Sequence, residues 1–300
     1  MANLPIEPYL IELVRHADAR GLPLILAGGL GIYLKRRAVA RLVEERGRRT
    51  LLALPEARAT SDIDAFMQIE AWLRLPADGI ARFRALLEEL GYRSRLDYLQ
   101  FTRPVDGLDS SRDVKLDLHA RVPQEGERAH LKYDKVRVGR RDAKGTPLHG
   151  RTTPEAFAID VGLQSLPLVG VDPEGLPFEG RVAIPHPFSF LCMKLKAALD
   201  HERATAKKPR GEKHAFDVYL LTAMLDEAEY EETRAFMRDF ARAAEITPIT
   251  EALAELFETP THPGCRTIVA QARSDRGAPL DLERFTGVLH ELFEPALAPP

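Results

Sequence analysis

The sequence predicts a mixed α/β core followed by an all-helical half, and three observations carry that prediction. A short apolar run enters a glycine pair and then a helical period. Two later segments alternate acidic with apolar residues, as half-buried strands do. Beyond Pro185-His186-Pro187 only helical periodicity remains.

In chain order, Leu10, Leu13, Val14 and Ala17 recur at helical spacing, and Gly21 closes that helix. Pro23 to Ala27 reads as a buried strand running into Gly28-Gly29, followed by a helix from Leu30 to about Glu45. That order sets backbone N–H groups at a helix N-terminus, where anions bind. Residues 48–58 read as a loop or extended connection, Ile63 to Met67 as a second strand, and residues 77–91 as an amphipathic helix. Strand candidates follow at 92–102, 113–121, 131–138, 165–171 and 178–184. Helical periods then cover Phe188–Leu199, Lys213–Leu225, Glu229–Ala244 and 281–293. The expected division is a mixed-sheet core over residues 1–185 and a helical domain over residues 186–300.

With 300 residues, 45% hydrophobic and 29% charged, the chain can bury a sizeable core, which excludes disorder along its whole length. A net charge of −3 excludes a surface coated in positive charge and leaves room for local basic patches. Cys192 and Cys265 match no zinc spacing and make no disulfide framework, as expected of a reducing cytoplasm. No run approaches the 18 apolar residues a membrane span needs, and the first residues lack the apolar core of a signal peptide. A cytoplasmic protein with no membrane partner is expected. Charge is uneven along the chain. Residues 35–49 carry seven Lys/Arg against two Glu, and residues 194–213 carry seven against three acids. Residues 225–258 hold ten acids against three arginines.

The segment Thr60-Ser61-Asp62-Ile63-Asp64-Ala65-Phe66 bears most directly on chemistry. Alternate strand residues share a face, so Asp62 and Asp64 point together with Cα atoms roughly 6.5 to 7 Å apart. Two such carboxylates can grip one divalent cation or a pair about 3.5–4 Å apart. Oxygen donors favour Mg²⁺ or Mn²⁺ over zinc. In Asp113-Val114-Lys115-Leu116-Asp117-Leu118-His119 the apolar residues take one face, leaving Lys115, Asp117 and His119 on the other. An acid on an apolar-backed strand is costly to bury unless paired, and a cation shared with Asp62 and Asp64 would pair it. His119 reads as a polar neighbour, since hard cations prefer oxygen. In the helical half, Lys213 and Asp217 stand i,i+4 on one helix face, either as an ion pair or with Asp217 holding Lys213 on a phosphate.

The ordered series Gly28-Gly29, Ser61-Asp62-Ile63-Asp64, Val114-Lys115-Leu116-Asp117, Lys194-Leu195-Lys196-Ala197 with Arg203, then Lys213 and Asp217 resembles the AbiEii-type nucleotidyltransferases. That family includes toxins of toxin–antitoxin systems and belongs to the polymerase β-like nucleotidyltransferase superfamily. The resemblance spans roughly residues 22–225. It implies a polymerase β-like core with a mixed sheet and a C-terminal helical bundle completing the active-site cleft. It also implies Asp62, Asp64 and Asp117 as catalytic and metal-binding residues for Mg²⁺ or Mn²⁺. Gly28, Gly29, Ser61, Lys194, Lys213 and Asp217 would be the nucleotide-binding set. Two departures stand out: 33 residues separate Gly29 from Asp62, more than is usual, and Lys213-His214 stands where the family has Lys-Asp.

Three functional readings stay open at this point. The first is Mg²⁺-dependent transfer of NMP from an NTP to an acceptor hydroxyl, with tRNA as acceptor and a cognate antitoxin protein as partner. The basic stretches suit an RNA backbone. The second is transfer to a small molecule such as an aminoglycoside, which the acidic helices at 225–258 would attract. The third is a non-catalytic interaction protein that keeps the fold.

Overall fold

The computed structural model describes residues 4–22, 24–58, 60, 62–69, 73, 78–95, 99–105, 113–141, 148–205, 211–274 and 279–297. It has the mixed α/β class expected, with a mixed sheet and C-terminal helices. Two compact units emerge, one of residues 1–34 and 59–185, the other of residues 35–58 and 186–300. No helix among the described residues is long and apolar enough to cross a membrane.

Among the described residues the first unit holds a sheet of ten strands: β1 (Ile25–Leu26), β2 (Asp62–Phe66), β3 (Arg93–Arg95), β4 (Gln100–Arg103), β5 (Val114–Ala120), β6 (Leu131–Tyr133), β7 (Arg137–Arg140), β8 (Gly150–Thr152), β9 (Gln164–Val171) and β10 (Pro177–Ile184). Eight of them run in the order β6-β7-β8-β5-β2-β1-β10-β9, and β3 and β4 lie off that path, β3 on β4 and β4 on β5. Strand β5 lies parallel to β2 along one edge, while its other edge meets β4 over the first residues and β8 over the last. The alternation seen in sequence sets the layers. Leu26, Ile63, Ala65, Phe101, Leu116 and Leu118 are all buried on one face, and the acids occupy the other.

Helix α1 (Glu7–Ala19) packs on the β9–β10 hairpin, with Ile11 against Gly170, and buries the expected Leu10, Leu13, Val14 and Ala17 stripe. It ends where Gly21 takes φ +65° and Leu22 N–H closes on the Ala17 carbonyl. Helix α2 (Gly28–Arg46) starts at the glycine pair itself, and α3 (Gly79–Glu89) buries Ile80, Phe83, Leu86 and Leu87. Two stretches read as single strands in sequence are hairpins: residues 92–102 contain β3 and most of β4, and residues 131–138 contain β6 and the start of β7. Strand β8 carried no apolar run to reveal it, since its three residues are Gly150, Arg151 and Thr152.

The second unit contains α4 (Pro187–Arg203), α5 (Lys213–Met224), α6 (Glu227–Phe240), α7 (Thr247–Leu256), α8 (Pro263–Ser274) and α9 (Leu282–Leu297). Pro187 at the first turn of α4 loses no hydrogen bond there, and the His186 ring accepts from Phe188 N–H as its cap. Asp226 caps α6 by accepting from Glu229 N–H. Phe257, Phe285 and Tyr219 interlock, with ring centroids 5.1 and 5.9 Å apart. Residues 35–58 join this unit through charge. Lys35 Nζ lies 2.6 Å from Glu229, and Arg48 lies 2.7 Å from Asp226 and 3.3 Å from the other Glu229 oxygen. Part of the basic run at 35–49 is therefore spent on the acidic run at 225–258. Arg203 is likewise tied to Glu251 and Glu255.

Candidate functional site

In the first unit the parallel β2–β5 ladder pairs Asp62 with Lys115, Asp64 with Asp117 and Phe66 with His119. Directly paired residues share a face, so Asp62, Asp64 and Asp117 come together on the side opposite the Ile63–Leu116 core. Strand β4 adds Gln100 opposite Asp117. Each acid has a nearby polar group. Lys115 Nζ is 4.0 Å from Asp62, His119 Nε2 is 3.5 Å from Asp64, and Gln100 donates to Asp117 at 2.8 Å. Burial raises the Asp117 carboxyl above its ordinary range; Gln100 opposes that, and the neighbouring Asp64 charge adds to it.

Gly28 explains why the chain needs glycine at the start of α2. Its φ is +59°, and a Cβ there would lie 1.7 Å from Asp64 Oδ2. Only a residue without a side chain lets the backbone approach that carboxylate so closely. Ala27 N–H also donates to the Asp64 carbonyl at 2.9 Å, which fixes the start of the helix against β2. Gly29 follows in the first turn and is buried. Ser61 lies outside the described residues.

Three carboxylates on one face of adjacent strands are the right donor chemistry for a hard divalent cation. As placed, the side chains turn to the neighbours just named. Among the described residues, no three His, Cys, Asp or Glu side chains are grouped to hold a metal ion.

In the second unit the described geometry centres on Asp217. It is 1% exposed and accepts from Arg58 Nε at 2.9 Å and Arg58 Nη2 at 3.0 Å, with Lys194 Nζ at 2.8 Å from its second oxygen. Burial would raise its carboxyl, but the Lys194 and Arg58 charges and their hydrogen bonds outweigh burial and hold it at about 2. Lys194 is itself buried, on α4. Lys213 opens α5 and is half-buried. Beside it, burial and then the Lys194 charge push the His214 imidazole down to about 3. The sequence reading missed Arg58. Its position four residues before Asp62 was visible, but no local signal tied it to a carboxylate 159 residues away.

No family model matches the sequence, and no curated protein matches it. Among solved structures the fold is similar to that of the antibiotic-resistance factor ANT(2'')-Ia, at 17% identity over 80% of this chain and 96% of that one, with a TM-score of 0.34. A likeness of that extent carries no argument about activity or substrate.

Proposed function

We propose that this chain is a divalent-cation-dependent nucleotidyltransferase that moves NMP from an NTP to an acceptor hydroxyl. The observation that carries this reading is the direct Asp64–Asp117 pairing, with Asp62 two residues away on the same face and Gly28 backbone set against Asp64. Asp62, Asp64 and Asp117 would hold Mg²⁺ or Mn²⁺, which when bound stabilises the entering and leaving oxygens of an in-line displacement. Asp117, whose proton affinity burial raises, is suited to accept the proton of the attacking hydroxyl. Gly28, Gly29 and Ser61, and by the family resemblance Lys194, Lys213 and Asp217, are the proposed nucleotide-binding groups. Asp217 would act by holding the Lys194 ammonium on the carboxylate that it shares with Arg58.

RNA is the proposed acceptor. Strand registers put Arg93, Arg95, Lys115, Arg137 and Arg151 on the same sheet face as the three acids. Basic side chains flanking the carboxylates suit a phosphate backbone and disfavour a polycation. The toxin role and a cognate antitoxin are proposals resting on the family resemblance alone.

The test is incubation with each labelled NTP, Mg²⁺ or Mn²⁺, and either total tRNA or an aminoglycoside, for wild type and Asp64→Ala. Label on tRNA with wild type only, falling with salt, is the expected result. Label on the aminoglycoside alone would move the reading to the small-molecule class. Equal labelling by wild type and Asp64→Ala would refute the carboxylate site.

A further inference from the structure

His119 stands apart from the other groups around the carboxylates because three separate contacts fix its ring. Its strand register puts it directly opposite Phe66, and the two rings stack with centroids 5.0 Å apart and planes 23° from parallel. Its Nδ1 is 3.1 Å from Thr153 Oγ1, and Thr153 is itself anchored by its N–H to the Ala120 carbonyl at 2.9 Å. The remaining nitrogen, Nε2, lies 3.5 Å from Asp64 Oδ1. A lone pair facing a carboxylate would be repelled, so the orientation suits an N–H at Nε2, while Thr153 Oγ1, which also donates to the Arg151 carbonyl at 3.2 Å, holds the Nδ1 side of the ring.

Asp64 is thereby confined from two sides. Oδ1 faces the clamped imidazole, and Oδ2 lies against the Gly28 backbone, where a single added carbon would overlap it. A short carboxylate with one oxygen at each boundary has few rotamers left. Strand alternation alone makes His119 a polar neighbour of the acids, and this geometry gives it a task.

We propose that His119 is the positioning residue that sets the Asp64 carboxylate for divalent-cation binding, with Phe66 and Thr153 fixing its ring. The proposal deepens the nucleotidyl-transfer reading and rests on it. His119 acts through Asp64 and neither bonds the cation nor touches the substrate. Partners of this kind hold a ligand in the orientation the cation requires, so less order has to be imposed on binding.

The test measures Mn²⁺ affinity of the full chain by electron paramagnetic resonance, in wild type, His119→Ala, His119→Gln, Thr153→Val and Asp64→Asn, with circular dichroism to verify folding. His119→Ala should weaken Mn²⁺ binding by roughly 10-fold or more, the usual effect of losing an outer partner. His119→Gln, whose amide can reach the place of Nε2, should recover most of it. Thr153→Val should fall between His119→Ala and wild type, and it carries the test if His119→Ala does not fold. In transfer assays His119→Ala should raise the Mn²⁺ concentration needed for half-maximal rate while leaving KM for NTP near wild type. Wild-type Mn²⁺ affinity in both His119→Ala and Thr153→Val, with Asp64→Asn impaired, would overturn the positioning role alone. A ¹⁴N hyperfine coupling between His119 and bound Mn²⁺ would also overturn it, because His119 would then be a ligand. Equal failure of wild type and Asp64→Asn to bind Mn²⁺ would overturn the nucleotidyl-transfer reading and this proposal with it.

Discussion

Asp217→Asn is the substitution whose effect on stability the structure defines best. The carboxylate is buried, and Arg58 and Lys194 share its two oxygens at 2.8 to 3.0 Å. A carboxyl held at about 2 against an ordinary 3.8 favours its charged form by roughly 2 kcal/mol, taking about 1.4 kcal/mol per pH unit. The substitution removes that charge and leaves the Arg58 and Lys194 cations, with side chains 15% and 9% exposed, facing a neutral amide. Breaking a buried pair from one side costs about 3–5 kcal/mol, so a loss of about 3 kcal/mol is expected. Urea unfolding followed by circular dichroism reads it as a lower midpoint. The pH dependence has a definite sign. A depressed carboxyl contributes its stabilisation in full above the unfolded value of 3.8 and loses it as pH falls toward 2. Wild type and Asp217→Asn should therefore differ fully at neutral pH and converge in acid. A variant within about 0.5 kcal/mol of wild type at pH 7, the range of an ordinary surface substitution, would refute the buried charge hub.

Three further outcomes are expected. Burial and Lys194 keep His214 neutral down to about pH 3, whereas the unfolded chain takes up that proton near 6.5, so folding stability should fall as pH drops below 6.5. The loss is about 2 kcal/mol by pH 5, and a His214→Gln urea series whose pH slope matched wild type would contradict it. Gly28→Ala should cost about 1 kcal/mol for its positive φ and more for displacing Asp64, lowering both the unfolding midpoint and nucleotide transfer; a fully active, equally stable variant would deny the contact. Asp64→Ala should leave the chain folded and raise Tm slightly without ligand, because Asp117 loses a like-charged neighbour. Thermal shift with Mg²⁺ plus NTP should raise the Tm of wild type only, and equal shifts in both proteins would place ligand binding elsewhere.

Local periodicity was legible without a structure because its cause is local. A strand alternates its side chains whatever it pairs with, so Asp62 and Asp64 sharing one face of their strand, and Lys115, Asp117 and His119 sharing one face of theirs, followed from spacing alone. The helical stripe of α1 and the mixed α/β class followed in the same way. The sequence could not decide which rung of β5 faces which rung of β2, since a one-residue slip is invisible until two strands pair. Tertiary structure made that choice, setting Asp64 opposite Asp117 and His119 over Phe66. It also decided every partner distant in the chain: Arg58 and Lys194 on Asp217, Lys35 on Glu229, Thr153 on His119. Charge runs that looked free for a ligand proved partly paired with one another, because burying a charge requires an opposite charge that only folding brings near.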